Sequence, residues 1–303
     1  MTQRCVVFGA NGFIGSALTR LLLAEGHEVV ACDMVREFRA LDAHPALRCR
    51  SLDFQDEVAV REVIAEGDWV FHLVSTTKPA SSNLNMAFDV QSNVVPSIRL
   101  FQSCVDLGVR KVLFASSGGT IYGPPRQVPV SESHPPEPIV SYGLTKLVIE
   151  RYGELFRRQF NLNVASLRIG NPYGPRHFDD QQGVIPVFVR RFRRRNPIEI
   201  WGDGHVVRDY VHVDDVARAF HAAARYEGSE TVFNIGAGEG RSLRDIIQAL
   251  ERIAGYSVPV HFTPPREFDI PSLVLDISRA QRVLGWNPVI PFDDGLLRTW
   301  QSS

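Results

Sequence analysis

The sequence lacks the features of a disulfide-rich, membrane-spanning or nucleic-acid-binding protein. Its 303 residues include only four cysteines, none in a Cys-x-x-Cys pair, which indicates free thiols in a reducing compartment. No run approaches the ~20 apolar residues that cross a bilayer, and no signal-peptide pattern precedes the first strand-like segment. The 33 basic and 34 acidic residues nearly cancel, so charge gives no reason to expect nucleic acid as a partner. The histidines show no metal-ligand spacing. We therefore expect a cytoplasmic protein without metal, nucleic acid or membrane as a partner.

Strand-like and helix-like segments alternate along the chain. An apolar strand ending at Phe8 breaks into a glycine loop, a helical pattern runs to about Gly26, and a second apolar strand covers 28–32. This order is that of one βαβ unit. Further strand-like runs come at 69–74, 111–115 and 163–167. The alternation predicts an α/β fold with a Rossmann-type, doubly wound parallel sheet.

The glycine loop predicts a dinucleotide site. Gly9, Gly12 and Gly15 follow a strand and open a helix, a context in which the backbone approaches a pyrophosphate and the helix N-terminus faces it. Asp33 ends the second strand, where a carboxylate would accept hydrogen bonds from the adenosine ribose and repel a 2′-phosphate. NAD is therefore favoured over NADP. Arg36 is close in sequence and could bind a 2′-phosphate, so NADP is still an alternative. Asp33 would also suit the cap of an ordinary turn.

A second motif is Tyr142-x-x-x-Lys146. Residues four apart on a helix share a face, so the phenol and the ammonium would be neighbours. A nearby cation and a positive nicotinamide ring would favour the phenolate, a general base. Alone, such a pair is common by chance, but here a hydroxyl-rich loop containing Ser117 and Thr120 also follows a strand. A hydroxyl there would bond the reacting oxygen, or would simply belong to a strand-end turn.

Beyond Arg168 the alternation loosens, with no linker or repeat. We predict a Rossmann domain at 1–168 and a smaller α/β C-terminal substrate region at 169–303, some segments of which cross back. A ligand cleft is expected between them, outside the carboxyl ends of the strands.

Together these motifs resemble the extended short-chain dehydrogenase/reductase family, in particular its NAD-dependent nucleotide-sugar epimerases and dehydratases, and most of all the UDP-glucose 4-epimerases. The likeness covers essentially the whole chain. It implies NAD as cofactor, a nucleotide-diphosphate sugar as substrate and a homodimer formed through helices within 94–107 and 147–160. The catalytic residues would be Ser117, Tyr142 and Lys146.

The resemblance also implies two binding sets. Besides the three glycines, Asp33 and the Tyr-Lys pair, the cofactor set contains Phe13, Ile14, Asp53, Phe54 and Leu73, with Asp53 equally suited to an ordinary turn. The substrate set contains Ser117, Thr120, Asn171, Val184, Ile200, Trp201, Arg208, Arg266 and Asp269, with the arginines facing phosphate.

The implied reaction is inversion at C4 of a UDP-sugar through a transient 4-keto intermediate. Related dehydratases carry an Asp-Glu pair, and decarboxylases a Glu, where this chain has Gly118, Gly119 and Thr120, so both activities are disfavoured. A 4-keto-sugar reductase using NADH or NADPH is an alternative. A non-catalytic NAD or nucleotide-sugar sensor is a second one, disfavoured by the intact Tyr142 and Lys146. The segment 75–80 departs from the commoner epimerase pattern, which leaves the sugar open.

Overall fold

The computed structural model describes residues 2–177, 183–265 and 270–302, and thirteen strands lie within those residues. The strands, in chain order, are β1 (Arg4–Phe8), β2 (Glu28–Asp33), β3 (Leu47–Ser51), β4 (Trp69–His72), β5 (Lys111–Ser117), β6 (Val164–Ile169), β7 (Asn171–Tyr173), β8 (Ile198–Trp201), β9 (Val207–His212), β10 (Val232–Ile235), β11 (Gly240–Ser242), β12 (Val260–Thr263) and β13 (Ser272–Leu273).

Eleven α-helices lie within the same described residues. They are α1 (Phe13–Ala24), α2 (Glu57–Glu62), α3 (Met86–Asp89), α4 (Val95–Asp106), α5 (Gly118–Ile121), α6 (Ser141–Phe160), α7 (Val184–Arg193), α8 (Val213–Arg225), α9 (Leu243–Ala254), α10 (Ser278–Leu284) and α11 (Phe292–Ser302). A 3₁₀ turn at Ser82–Leu84 precedes α3, and a π-helical segment at Val90–Val94 joins α3 to α4. Of the described helices, none is both long and apolar enough to cross a membrane.

Seven strands form one parallel sheet in the order β10-β6-β5-β4-β1-β2-β3. The central strands are buried on both sides because helices cover both faces, which explains their continuous apolar sequence. Helices α1 and α8 pack on one face, whereas α2, α4 and α6 pack on the other. The predicted doubly wound Rossmann-type fold is confirmed.

The strand order reverses between β1 and β4, so the chain leaves these neighbours towards opposite faces of the sheet. A crevice forms at the carboxyl ends of such a pair. The residues that follow the two strands, Gly9 and Leu73, meet there: a Cβ on Gly9 would lie 3.2 Å from the Leu73 carbonyl carbon. The fold therefore brings the glycine loop to the point where α/β sheets bind ligands.

A smaller α/β part follows in the C-terminal half, as predicted. Strands β7, β9, β11 and β13 form one small sheet, β8 and β12 another, and α7, α9 and α11 enclose a separate apolar core. Two later elements nevertheless belong to the first layers, because β10 pairs with β6 and α8 packs on α1. Segments thus cross back over the division at 168/169, which itself stays a prediction.

Candidate active site

The glycine loop has the tight geometry that a dinucleotide needs. Gly9 has a φ of +84°, which favours glycine, and a Cβ on Gly15 would lie 2.0 Å from the Gly9 carbonyl oxygen. Gly12 precedes α1, whose start has no side-chain cap and whose first turn contains no acidic residue. The dipole of that helix therefore faces the loop without a competing carboxylate, an arrangement suited to a pyrophosphate.

Asp33 lies beside this loop at the end of β2. Its Oδ2 accepts a hydrogen bond of 3.0 Å from the backbone N–H of Asn11, and the Asn11 side chain in turn accepts one of 3.1 Å from Ala40 N–H. The carboxylate is half-buried, so a second oxygen remains for ribose hydroxyl groups. Asp33 thus lies at the end of β2 beside the glycine loop, and its contact with a ribose stays a prediction.

The other predicted cofactor residues differ in what they present. Phe13 and Ile14 begin α1, and the Phe13 ring lies 4.3 Å from the ring of His177 in the C-terminal half. Exposed Asp53 accepts a turn hydrogen bond of 2.9 Å from Gln55 N–H. This hydrogen bond is that of a turn residue, and a contact of Asp53 with the cofactor stays a prediction.

The Phe54 ring points into the core rather than the crevice. It stacks on His72 at 4.7 Å and meets Phe8 at 5.4 Å, because the ring sits on the side of the chain that packs against β1 and β4. A cofactor contact at this position would therefore have to come from the backbone. Leu73 meets the glycine loop through its backbone.

Tyr142 and Lys146 lie together in the first turns of α6. The Lys146 ammonium is 5.5 Å from the centre of the Tyr142 ring and donates a 2.9 Å hydrogen bond to the Ala115 carbonyl of β5. Burial lowers the pKa of Lys146 to about 8, opposed by the carboxylates of Asp89 and Glu150. The predicted pair is therefore assembled and anchored to the sheet.

Burial, rather than the neighbouring ammonium, dominates the pKa of the phenol. It raises the pKa of Tyr142 to about 12, a hydrogen bond with Ser75 lowers it, and the charge of Asp89 raises it further. In the protein without a ligand, the effect of burial on the pKa of Tyr142 therefore outweighs the expected effect of the Lys146 ammonium. A positive nicotinamide ring would oppose this effect.

Close packing brings the hydroxyl-rich loop to the same place. A Cβ on Gly143 would lie 2.5 Å from the Thr120 carbonyl oxygen, so only glycine lets α6 approach α5 this closely. Ser117 ends β5 and directly precedes α5. The Thr120 hydroxyl is buried without a hydrogen-bond partner among the described residues, and such a group favours a ligand contact. Ser117 and Thr120 thus lie next to the Tyr-Lys pair.

The predicted substrate residues come from several elements. Asn171 and Arg208 lie on the neighbouring strands β7 and β9; the Asn171 amide donates to the Asp209 carbonyl at 3.3 Å, and Arg208 donates to the Ile270 carbonyl at 2.6 Å. Val184 begins α7 and is half-buried. The structure therefore places Asn171 and Arg208 on two paired strands of the small C-terminal sheet.

Strand β8 separates two residues that the sequence placed together. Trp201 is 44% exposed, whereas Ile200 is 1% exposed and packs in the C-terminal core. Successive residues of a strand point to opposite sides, so both cannot face one ligand. The side chain of Ile200 is therefore buried in the apolar core, whereas that of Trp201 is exposed and its contact with a ligand stays a prediction. Arg266 and Asp269 lie outside the described residues.

Sequence analysis missed several polar residues around Tyr142. Ser82 Oγ accepts the Tyr142 backbone N–H at 3.0 Å, and Asn83 Oδ1 accepts that of Ser141 at 2.8 Å, so the 3₁₀ turn caps α6. Asp89 is fully buried beside them. The hydroxyl-rich run at 75–77 was a signal for this cluster, but its partners are distant in sequence.

Comparisons with known proteins agree with this geometry. Residues 5–236 match the model of the NAD dependent epimerase/dehydratase family. The chain belongs to this family. NAD is accordingly its cofactor, and the glycine cradle, the uncapped start of α1 and Asp33 fit that molecule.

Two curated relatives of the epimerase/dehydratase family carry different names. The chain is 35% identical to the UDP-glucose 4-epimerase of Mycolicibacterium smegmatis, covering 98% of this chain and 97% of that one. It is 33% identical to the dTDP-4-dehydro-6-deoxyglucose reductase of Escherichia coli, covering 96% and 94%. Among solved structures, the UDP-glucose 4-epimerase of Thermotoga maritima with UDP-glucose superposes with a TM-score of 0.92 at 34% identity, over 99% of this chain and 98% of that one. The chain is thus an enzyme of the nucleotide-sugar epimerase/reductase type.

Proposed function

We propose that the protein inverts C4 of a UDP-sugar of the UDP-glucose/UDP-galactose type through a transient 4-keto intermediate. The observation that carries this proposal is the loop packed against α6 at Gly143, where Gly118, Gly119 and Thr120 offer neither an acid nor a base. Dehydration would need both. The remaining groups suit reversible proton transfer at one hydroxyl.

In this proposal Tyr142 removes the proton of the C4 hydroxyl and later returns it. Bound NAD⁺ supplies the acceptor, and afterwards the donor, of the hydride exchanged at C4. The Ser117 hydroxyl bonds the same sugar oxygen, and the Lys146 ammonium favours the phenolate and holds the nicotinamide ribose. Because Lys146 is bonded to Ala115 of β5, its position does not depend on the sugar.

The nucleotide half of the substrate is held elsewhere. We assign the diphosphate to Asn171 and Arg208 and the base to Val184 and Trp201. These residues come from β7, β9, α7 and β8 of the C-terminal part. Inversion requires the sugar to turn while its nucleotide stays bound, and this assignment holds the nucleotide on elements other than the α6 that carries Tyr142.

A second candidate is reduction of a 4-keto-sugar nucleotide. It is favoured by the Escherichia coli reductase, which is as similar as the epimerases and aligned over nearly the whole chain. The same Ser117, Tyr142 and Lys146 would serve, with Tyr142 giving its proton to the 4-keto oxygen. Reduction differs in one respect: it consumes a reduced cofactor with every turnover.

The test of epimerisation uses the purified protein without added cofactor. Nucleotide released on denaturation is identified, and the native protein is incubated with UDP-glucose. Bound NAD⁺ together with formation of UDP-galactose supports epimerisation. If no UDP-glucose is converted even with added NAD⁺, epimerisation of this sugar is refuted. Oxidation of NADH or NADPH by a 4-keto-sugar nucleotide would then identify the reductase.

Replacing Tyr142 by Phe separates both enzymes from a non-catalytic sensor. The cofactor content should persist while turnover is lost, because only the phenol oxygen is removed. Tyr152, in the same helix and packed on the apolar core, provides the matched control: its replacement by Phe should leave turnover intact.

We also propose a homodimer formed through α4 and α6. The two helices carry apolar side chains on the protein surface, with Val95 38%, Leu155 41% and Phe160 46% exposed. Leu155→Glu should yield a monomer in light scattering if this face joins two copies. A wild-type protein that is monomeric at micromolar concentration would contradict the proposal.

A further inference from the structure

Asp89 is a buried carboxylate that none of the proposed chemical steps uses. It ends α3 with no exposed surface. One oxygen accepts hydrogen bonds from the Thr77 hydroxyl at 2.6 Å and from the Asn93 amide at 3.0 Å. The other accepts from the hydroxyls of Ser141 at 2.7 Å and Thr145 at 3.0 Å. Four hydrogen bonds thus join three separate segments at one carboxylate.

Two of these partners lie directly before the catalytic residues. Ser141 directly precedes Tyr142, and Thr145 directly precedes Lys146. The two hydroxyl donors are four residues apart and therefore lie about one turn from each other on α6. A shift of Asp89 would therefore shift or rotate the turn that carries the phenol and the ammonium.

The other partners hold the segment that departs from the usual epimerase pattern. Asn93 binds Thr76 twice, accepting from its N–H at 2.9 Å and donating to its hydroxyl at 2.8 Å. Asp89 binds the next residue, Thr77. Ser75, one residue before this pair, donates to the Thr77 carbonyl at 3.1 Å and lies close enough to the Tyr142 phenol to lower its pKa. The segment is thereby aligned against the phenol.

The charge of Asp89 also matters, because Asp89 and the Lys146 ammonium are both buried. It faces the Tyr142 phenol and the Lys146 ammonium, and the ammonium also interacts with Glu150 and with His72 of β4. A buried carboxylate is costly unless it is fully hydrogen-bonded and balanced by a cation. Asp89 meets both conditions only when 75–77 and α6 are in place.

We propose that Asp89 is a positioning residue of the reaction, which clamps the Ser75–Thr77 segment to the first turns of α6 and so fixes the Tyr142 phenol against the sugar. This inference rests on the proposed function in either form, epimerase or reductase. The nucleotide subsites lie in the C-terminal part, so the clamp acts on the reacting end of the substrate alone.

The test replaces Asp89 by Asn in the holoenzyme. Asn keeps the size, and its amide can donate to hydroxyls that turn round to accept, so the fold should persist. We expect kcat to fall by about tenfold or more, with KM within about twofold because the nucleotide contacts are untouched. We also expect the pKa of the Tyr142 phenol to fall by about one unit, because the negative charge of Asp89 is lost. This titration is measured as the tyrosinate difference spectrum between a protein with Tyr142 and its Tyr142→Phe variant.

Two further variants keep the test decisive. Thr77→Val removes one arm of the clamp with little change in size, and it should lower kcat without moving the phenolate titration. Asp68→Asn is the matched control, because Asp68 is also a buried carboxylate but lies beside Arg4 at the other end of β4. Asp68→Asn should lower the melting temperature and leave both kcat and the phenolate titration of Tyr142 unchanged.

Wild-type kcat together with an unchanged phenolate titration in Asp89→Asn would overturn the proposal, as would an equal effect of Asp68→Asn. Failure of the proposed function is recognised separately. If the wild-type protein turns over no nucleotide sugar, the titration of Tyr142 still decides whether Asp89 acts on the phenol.

Discussion

Replacing Gly143 by Ala tests the close approach of α6 to the loop at 117–120. The added Cβ would lie 2.5 Å from the Thr120 carbonyl oxygen and 3.0 Å from Pro138 Cβ. The first of these contacts is with backbone, which cannot swing away as the end of a side chain can. Either α6 or the loop must therefore move, and Tyr142 moves with the helix.

The expected changes in stability and in rate differ in size. Alanine is favoured over glycine within a helix by up to about 1 kcal/mol, whereas overpacking costs about 1–3 kcal/mol. The free energy of unfolding should thus fall by only about 0–2 kcal/mol. A displacement of about 1 Å at a reacting group can cost about 100-fold in rate, so we expect kcat to fall by roughly ten- to fiftyfold.

The assay compares Gly143→Ala with Gly153→Ala in the same helix. A Cβ on Gly153 would lie 3.0 Å from Val164 Cγ1, a side-chain atom that can give way, and it is ~15 Å along the helix from Gly143. Both variants are followed by thermal unfolding, bound NAD and turnover. Wild-type kcat in Gly143→Ala, or an equal loss in Gly153→Ala, would refute the role assigned to this contact.

Three further predictions concern charge, pH and the cofactor loop. Glu150 accepts hydrogen bonds from Arg168 at 2.7–3.2 Å in a buried pair, so Glu150→Ala should lower the free energy of unfolding by about 3–5 kcal/mol in denaturant titrations; a loss below about 1 kcal/mol would contradict this. Burial lowers the pKa of His27 and of His221, whose Nε2 atoms lie 3.2 Å apart. The unfolded chain therefore binds more protons than the native protein. The free energy of unfolding should fall as the pH drops below 6.5, the ordinary pKa of histidine. His221→Asn should flatten this dependence, measured as melting temperature between about pH 5 and 8, and an unchanged slope would show that other groups cause it. Gly15→Ala would place a Cβ 2.0 Å from the loop backbone, so the purified protein should lose its NAD while α6 variants keep theirs; full NAD content would contradict the cradle.

The sequence by itself determined the fold class and the two motifs that define the chemistry. The strand–loop–helix order around Gly9–Gly15 and the buried apolar runs depend on local periodicity, which survives in a single sequence. Tyr142 and Lys146 lie four residues apart, so any helix brings them together. Asp33 follows directly from the end of a strand. Each of these features depends on spacing within one or two neighbouring elements.

The direction of individual side chains was less predictable. Phe54 and Ile200 were assigned to binding sites, yet both side chains pack into apolar cores. Which side of a strand or turn faces a ligand depends on what the sheet packs against, and one residue of register exchanges the two. The sequence also could not show that β10 and α8, far along the chain, complete the first layers.

Only the tertiary structure decided the surroundings of the catalytic phenol. Asp89 and Ser75 are more than fifty residues from Tyr142 along the chain. The need for glycine at position 143 arises only because the backbone of Thr120 packs against it. The pKa of Tyr142 is set chiefly by burial, a property of packing that no spacing along the chain contains. Local patterns thus name the reacting groups, whereas long-range contacts fix their positions and protonation.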